Sequence, residues 1–559
     1  MRLAPLLTLL FLAGPVLAGL AGVVAPALGY FPAIGANDWG LGAFRALFDW
    51  PGISTAIRLS VTTGLAATAI ALAVTVLILA AWSGTRTFRW IERALSPLLS
   101  VPHAAAAFGI AFLIAPSGWI VRAISPWLTG WTRPPDLLIL QDPLGIAMVL
   151  GLVAKEVPFL LLMALAALPQ CQPSRSLTVA QSMGYGRVTG WLKAVLPRLY
   201  PLIRLPVYAV LAYSMSVVDV AIILGPNTPP PLSVQVVRWM SQPDLTLRLT
   251  AAAGALLQTG LVVGALITWR LAEMALARAG RRWATGGARS NGDPALRVLA
   301  MALAALSAAA IFAGLAGLGL WSITSVWRFP QALPDALTLS HWARHGPMVL
   351  PTLADTVLIA ASATLAALVL VIACLETEIR LRLRLEGRAL WLLYLPLIIP
   401  QIAFLPGLQT LALNWGADMG RVAVTLVHLV FVLPYVMLSL ADPYHGWDAR
   451  QATVAAALGA SPRRIFWRLR LSMLLAPALT AAAVGFAVSV GQYLPTLLIG
   501  GGRVQTLTTE AVALAAGGDR RVIGIYALAQ TGVVVLGFAA AIGLPRLVWA
   551  NRRGLRGAA

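Results

Sequence analysis

Apolar residues in this chain gather into long runs, separated by short stretches that carry arginine, glycine and proline. A helix crosses the ~30 Å hydrocarbon layer of a bilayer with about 20 such residues. Inside that layer backbone polar groups find no water, so helices and closed barrels are the only spanning structures. Runs this long and this uniformly apolar argue for helices. They predict twelve spans, at about 5–28, 56–81, 95–115, 143–168, 201–224, 250–271, 296–321, 350–375, 389–413, 420–441, 474–499 and 523–549. The expected fold is all-α, that of a polytopic membrane protein.

Composition sharpens this picture. Of 559 residues, 59% are hydrophobic and 11% charged, against roughly 25% charged in soluble domains. The net charge of +21 raises the question of nucleic acid. Its placement argues against that partner, because the arginines sit between spans, where anionic headgroups and the positive-inside bias account for them. If the N-terminus lies inside, 28 of the 41 Lys and Arg fall on the inner face and 12 on the outer, with Lys155 inside a span. That excess predicts cytoplasmic N- and C-termini in a bacterial inner membrane. The residues Pro15-Val16-Leu17-Ala18 resemble a signal cleavage region, but the apolar run continues to Leu28, which favours an uncleaved first span. Cys171 and Cys374 are too few for a disulfide framework and are expected as free thiols.

The inner segment around Ala284–Pro294 is small, polar and basic, as a linker would be. It divides the chain into expected halves at 1–275 and 296–559, joined by 276–295. The halves share patterns in the same order. Thr178-Val179-Ala180-Gln181-Ser182-Met183-Gly184 and Leu196-Pro197 answer to Thr453-Val454-Ala455-Ala456-Ala457-Leu458-Gly459 and Leu471-Ser472, each 275 positions later. A proline-bearing span precedes each loop (Pro158, Pro434), and a span ending in glycine follows (Gly225, Gly500-Gly501). Earlier in each half, Ser96–Pro102 answers to Leu395–Pro400. Such ordered matches imply duplication of one unit of six spans, in parallel orientation.

These loops resemble the EAA motif of importer permeases: Glu-Ala-Ala, three residues, Gly, nine residues, an aliphatic residue, one residue, Leu-Pro. Gly184 and Gly459 take the glycine place, and Ala180 and Ala455 the last alanine. Ala194 and Leu469 take the aliphatic place. Leu196-Pro197 matches the end fully, Leu471-Ser472 only at leucine. Thr178 and Thr453 stand where the family often has Glu. With its flanking spans the resemblance covers essentially the whole chain, and two fused copies look like the ferric-iron and thiamine permeases. It implies a type I importer fold, alternating access, two ATP-binding-cassette ATPase subunits docked on the two loops, and a periplasmic or lipid-anchored solute-binding protein. The residues alone predict a short helix over Thr178–Met183 and a sharp turn at Gly184, which tolerates positive φ. In the second copy Ser461-Pro462 is a good helix start, and Arg463, Arg464, Arg468 and Arg470 are expected to face solvent, headgroups or an acidic partner. An amphipathic loop resting on the membrane is the plainer alternative.

No phosphate loop exists in the chain, since the residues before its two lysines, Lys155 and Lys193, are Ala154 and Leu192. ATP hydrolysis is therefore expected on another chain, with no cofactor and no metal here. His341 and His345 share an i,i+4 spacing in an outer loop and are read as ordinary surface histidines. Charged groups inside a bilayer usually face a cavity or a partner. Lys155, Glu156 and Asp219 in the first half, and His428 and Gln492 in the second, are candidates for the translocation path or a gate, or for structural clamps. Lys155 with Asp219 is a plausible pair. Outer arginines Arg238, Arg248, Arg503, Arg520 and Arg521 would dock a delivery protein or simply be solvated. A secondary transporter driven by an ion gradient would share twelve spans but leaves the paired loops unexplained. A membrane enzyme would need clustered carboxylates, whereas Asp38, Asp49, Asp136, Asp142, Asp244, Asp335 and Asp418 are scattered. The cargo stays open among ferric iron, thiamine, polyamines and oxyanions.

Overall fold

The computed structural model describes residues 3–287, 289, 293–381 and 387–549. Arg2, the linker positions Ala288, Ser290, Asn291 and Gly292, and the arginines beyond Trp549 lie outside them. Among the described residues the chain is helical, with only two isolated strand-like bridges. The helices that matter here are α1 (Ala4–Ala27), α2 (Ile53–Trp82), α3 (Phe88–Ser100), α4 (His103–Ile114), α5 (Ile146–Ala167), α6 (Pro173–Ser182), α7 (Arg187–Ala194), α8 (Leu196–Ser216), α9 (Asp219–Leu224), α10 (Leu232–Met240) and α11 (Leu247–Thr285). They continue with α12 (Asp293–Ser322), α13 (Ser340–Leu381), α14 (Gly387–Ile398), α15 (Gln401–Asn414), α16 (Arg421–His445), α17 (Arg450–Ala457), α18 (Pro462–Met473), α19 (Leu475–Val490), α20 (Leu494–Gly500), α21 (Leu507–Ala513) and α22 (Arg520–Val548). The order of long, short and broken helices in α1–α11 recurs in α12–α22. The helix α11 runs on to Thr285, well into the segment expected as linker.

All twelve expected spans fall on helix. Nine described helices are long and apolar enough to cross a membrane, or twelve if bent pairs count as single spans. Four spans read as continuous are broken, and the breaks have local causes. The third expected span stops at Ser100 and restarts at His103, because Val101 precedes proline and is held extended (ψ 121°) and Pro102 has no N–H to give. The ninth breaks in the same way at Ile399-Pro400, with an 85° bend. The fifth begins earlier than expected, at Leu196, and is interrupted between Ser216 and Asp219; the eleventh is interrupted between Val490 and Leu494.

Each break leaves carbonyls without a partner in their own helix, and inside a bilayer these must be met by protein. Side chains from neighbouring helices meet them. Gln258 Nε2 donates to Met215 O (2.9 Å) and Ser233 Oγ to Val217 O (3.1 Å). In the second series Thr508 Oγ1 donates to Val490 O, and Gln530 Nε2 donates to Thr508 (2.6 Å). The interruption therefore belongs to the fold and is not fraying.

The first helix of each series packs across the molecule. The helix α1 lies along α15, α13, α14 and α16 and along α11 of its own series, whereas α12 lies along α4, α2, α5 and α3 and along α22 of its own series. Glycine allows these approaches. A β-carbon at Gly407 would lie 2.0 Å from the Gly19 carbonyl oxygen, and one at Gly109 would lie 2.8 Å from the Gly314 carbonyl carbon. The largest apolar core brings together residues from both series, among them Val16, Phe108, Ile311, Phe404 and Phe431.

Candidate functional site

Two regions gather the chemistry expected from the sequence. The first is the pair of loops at Gly184 and Gly459. The helix α6 ends with Gly184 at φ +80°, Gly184 N donating to Gln181 O (2.9 Å) and Tyr185 N to Ala180 O (3.2 Å). The helix α17 ends with Gly459 at φ +82°, Gly459 N donating to Ala456 O (2.9 Å) and Ala460 N to Ala455 O (2.9 Å). Both are Schellman closures, in which the glycine takes the left-handed conformation that other residues resist. Ala180 and Ala455 supply the carbonyl that closes the turn. The smallness of Ala180 also matters, because a β-carbon at Gly190 of α7 would touch the Ala180 β-carbon at 3.0 Å.

A second helix follows each turn. Ser461 caps α18, its Oγ accepting from Arg464 N (3.4 Å). In the first loop Gly186 has no side chain to cap α7, and the cap comes from elsewhere: Asp293 Oδ2, at the start of α12, accepts from Val188 N (2.9 Å). The chain then turns by 66° into α8 and by 68° into α19. Leu196 and Pro197 open α8, where the proline needs no partner for a missing N–H; Leu471 lies within α18 at its π-turn end. Thr178 and Thr453 are exposed, their hydroxyls turned back to Ser174 O and Ala449 O. The threonines therefore stay within their own helices. The sequence reading missed the apolar tips. Val179 and Met183 are more than half exposed, as are Val454 and Leu458, the last at 83%. An i,i+4 pair lies on one helix face, and the same pair recurs 275 positions on. It was legible in the sequence as apolar residues on otherwise polar helices.

Both second helices are fastened to the body, by different chemistry. Arg187 donates to Ala81 O (2.9 Å) and Ser83 O at the end of α2. In the second loop Arg470 was expected at the surface and is instead buried. It pairs with Glu376 of α13 and stacks over Trp447 at 4.5 Å. Glu376 also holds Arg380 (2.7 Å) and the Tyr444 hydroxyl (2.7 Å). The reason is the π-turn over Ile465–Arg470, which rotates the last arginine of the helix inward. Arg470→Met strands part of a buried carboxylate and is expected to cost about 3 kcal/mol. Thermal unfolding in detergent checks this. Adding Glu376→Gln should recover part of the loss, whereas an additive double variant would show that the pair does not interact.

The second region lies around α4, α5, α8 and α9, near where α8 packs on α14 of the second series. His103 Nε2 is 3.4 Å from Glu156 Oε1, and its ring meets the Tyr213 ring edge-on at 5.1 Å. Tyr213 is within electrostatic reach of Asp219, Glu156 and Tyr435, Tyr435 of Glu156 and Tyr394, and Tyr493 of Asp219. Gln401 Nε2 donates to Gln492 Oε1 (3.2 Å). Glu156 and Asp219 are buried, and His103, Tyr213, Gln401, Tyr435, Gln492 and Tyr493 are partly buried. Glu156 thus faces His103, beside Tyr213 of the same series, whereas Gln492 pairs with Gln401 within the second series.

Lys155 points elsewhere. Its ammonium donates to Leu98 O (2.9 Å) and Val101 O (2.6 Å), capping the end of α3 at the proline break, and no Lys155–Asp219 ion pair forms. Carbonyls left over by Pro102 are nearer, and they face the cation in the polarity it needs. His428 is also apart: it is enclosed, with Nδ1 against Ser489 Oγ (2.8 Å) and Nε2 against Thr496 Oγ1 (2.9 Å). Both nitrogens brace α16 to α19 and α20. Three of the residues here that the sequence reading missed, His103, Gln401 and Tyr435, each directly follow a proline, whereas Tyr213 and Tyr493 carry no such signal.

On the far face, Arg520 donates to Ser117 O (3.2 Å) and Arg238 to Asn227 O (2.9 Å), and Arg503 pairs with Asp418 at 3.2 Å. Asp244, just before α11, accepts from the Thr246 hydroxyl and backbone N–H, which hold its carboxyl below the usual range. Both cysteines are free and buried. Among the described residues no group of three or more His, Cys, Asp or Glu is placed to hold a metal ion.

Comparison with known proteins bears on these two regions together. No family model matches the chain. It is 32% identical over 532 residues to the inner membrane ABC transporter permease protein YnjC of Escherichia coli (strain K12), covering 94% of each chain. It is 29% identical over 179 residues to the molybdenum transport system permease protein ModB of Mycobacterium tuberculosis (strain ATCC 25618 / H37Rv), covering 29% of this chain and 68% of ModB. It is 24% identical over 135 residues to the spermidine/putrescine transport system permease protein PotC of Haemophilus influenzae, covering 24% of this chain and 52% of PotC.

Proposed function

Because the chain belongs to the permease family of ATP-binding-cassette transporters, we propose that it is the membrane subunit of an importer, carrying both halves of the translocation path in one polypeptide. The halves are residues 1–275 and 296–559, two copies of one unit. Two ATPase subunits dock on the loops at Gly184 and Gly459, each receiving an apolar tip, Val179 with Met183 or Val454 with Leu458, in a groove. Thr178, Ala180, Leu196 and Pro197, with Thr453, Ala455 and Leu471, build the helix–turn–helix that presents each tip. A periplasmic or lipid-anchored binding protein delivers solute to the opposite face. Both termini are cytoplasmic, in keeping with the arginine excess on the loop side.

The observation that carries this reading is the paired Schellman loop with its exposed apolar pair. Two such tips in matching positions suit two copies of one partner. ATP binding draws the partners together, the tips move with them, and the helices behind each tip transmit the motion because they are fastened through Arg187 and Arg470. The halves then rock about their shared interface, opening a path past Glu156, Asp219 and Gln492 to alternate sides. Lys155 and His428 keep the broken helices rigid during the motion. No covalent chemistry falls to this chain.

The test is co-purification with the candidate ATPase. Met183→Asp with Leu458→Asp changes only exposed side chains, so the protein should insert and purify as the parent does. ATPase recovery should fall at least about tenfold, the loss of two buried apolar anchors being worth more than 1.4 kcal/mol. Equal recovery would remove the docking assignment. A parent that retains no ATPase, and that transports under ATP depletion with an ion gradient intact, would instead be a secondary transporter.

A further inference from the structure

We propose that the linker between the halves forms part of the first ATPase docking site. Trp283, Arg289 and Asp293 hold the first loop in its docking shape. Among the described residues the second loop has no such hold, so the two sites are not equivalent. This rests on reading the loops at Gly184 and Gly459 as the docking surfaces.

The first loop is gripped from both sides of the linker. On the near side, α11 runs on to Thr285 and carries Trp283 in its last turn. The Lys193 ammonium of α7 lies 4.7 Å from the centre of the Trp283 ring and 4.7 Å from that of Tyr185. The Arg289 guanidinium lies 5.8 Å from the same Tyr185 ring. Aromatic faces attract cations. Tyr185, next to the turn glycine, is therefore held by one cation of its own loop and one of the linker.

On the far side, Asp293 opens α12, and its Oδ2 accepts from Val188 N (2.9 Å). This meets one of the donors that the first turn of α7 leaves open. The carboxylate can come so close because Gly186 has no side chain: a β-carbon there would lie 2.5 Å from Asp293 Oδ2. A β-carbon at Gly184 would likewise lie 3.3 Å from Arg289 Nε. The start of α12 is itself tied to the body. Trp82 Nε1 donates to Arg297 O (3.1 Å), and the Arg297 guanidinium stands 4.5 Å over the Trp82 ring.

The second loop is built differently. A β-carbon at Gly459 would meet nothing within 4 Å. The helix α17 buries none of its residues, whereas α6 buries Leu177 and Ala180. The cap of α18 is its own Ser461, and the tie of Arg470 to Glu376 lies toward the far end of that helix from the turn. A surface already ordered before binding loses less freedom when its partner arrives. The first loop thus meets its ATPase pre-ordered, and the second orders as it docks.

Hydrogen exchange of the full-length permease in detergent tests the hold. Asp293→Ala should speed exchange of the amides in 184–193 roughly fivefold, as loss of a helix cap does, and leave those in 459–470 unchanged. Asp293→Asn should keep most of the parental protection, because its amide oxygen still accepts. Trp283→Ala leaves the cap in place, should speed exchange beside Tyr185, and serves if Asp293→Ala does not accumulate. Docking is read by ATPase co-purification in two backgrounds. With Leu458→Asp, which leaves the first tip alone, Asp293→Ala should lower recovery about threefold or more. With Met183→Asp, which leaves the second tip alone, it should change nothing. Unchanged exchange in the first loop, equal acceleration in both loops, or equal effects in the two backgrounds would overturn the proposal. A parent that retains no ATPase sinks the importer reading, and the exchange result still decides whether the linker holds the loop.

Discussion

Gly407→Leu is expected to separate α1 from the second series and to abolish accumulation of a monodisperse permease. The helix α1 crosses α15 at the Gly19–Gly407 contact, where backbone meets backbone. Overpacking a side-chain contact costs about 1–3 kcal/mol because rotamers give way. Here nothing can give but the helices themselves, since a β-carbon would lie 2.6 Å from Val23 N as well as 2.0 Å from Gly19 O. Loss of the contact would also expose the apolar faces of Val16 and Phe404. Size-exclusion profiles after detergent extraction measure the effect. Gly109→Leu should behave likewise through α12, and Gly260→Leu, with open space around it, should not. A monodisperse Gly407→Leu variant would mean that the crossing of the first helices contributes little to assembly.

Lys155→Met is the second large effect. The methionine matches the stem of lysine but gives no donor to Leu98 O and Val101 O. A buried carbonyl left unmet costs about 1–3 kcal/mol, and two are involved. Glu156 loses its neighbouring positive charge at the same time. The expected destabilisation is about 3–5 kcal/mol, seen as a lower unfolding temperature in detergent. Lys155→Arg should retain most of the parental stability, because a guanidinium can still donate to both carbonyls. Equal loss in both would show that lysine shape, and not its donors, matters at the α3–α4 break.

The exchange of first helices explains why the linker can be short. With α12 packed on α4, α2 and α5, the second series begins inside the territory of the first. Asp293 stands at the start of α12 and caps α7 through Val188 N, so the same segment also steadies the first loop. The second loop has Ser461 for this purpose and needs no help from another helix. A local cap can be read from neighbouring residues, whereas Asp293 lies more than a hundred positions from the helix it caps.

The apolar runs were enough to establish the all-α class and nine to twelve helices long enough to span a membrane, because in a bilayer the backbone has no other way to satisfy its polar groups. The turn glycines were equally legible, since the left-handed conformation at Gly184 and Gly459 restricts which residue can stand there. What only the tertiary structure decided was where intramembrane polar groups point. Lys155 and Glu156 are adjacent in sequence, yet one caps α3 and the other faces His103 and the tyrosines. His428 turned inward to two hydroxyls, and Arg470, placed among surface arginines, was drawn inward to Glu376. The physical reason is that hydrophobic periodicity selects a helix through its own backbone, residue by residue. The partner of a buried charge depends on helix crossings, breaks and turns that bring distant residues within about 3 Å, and no local pattern carries that information.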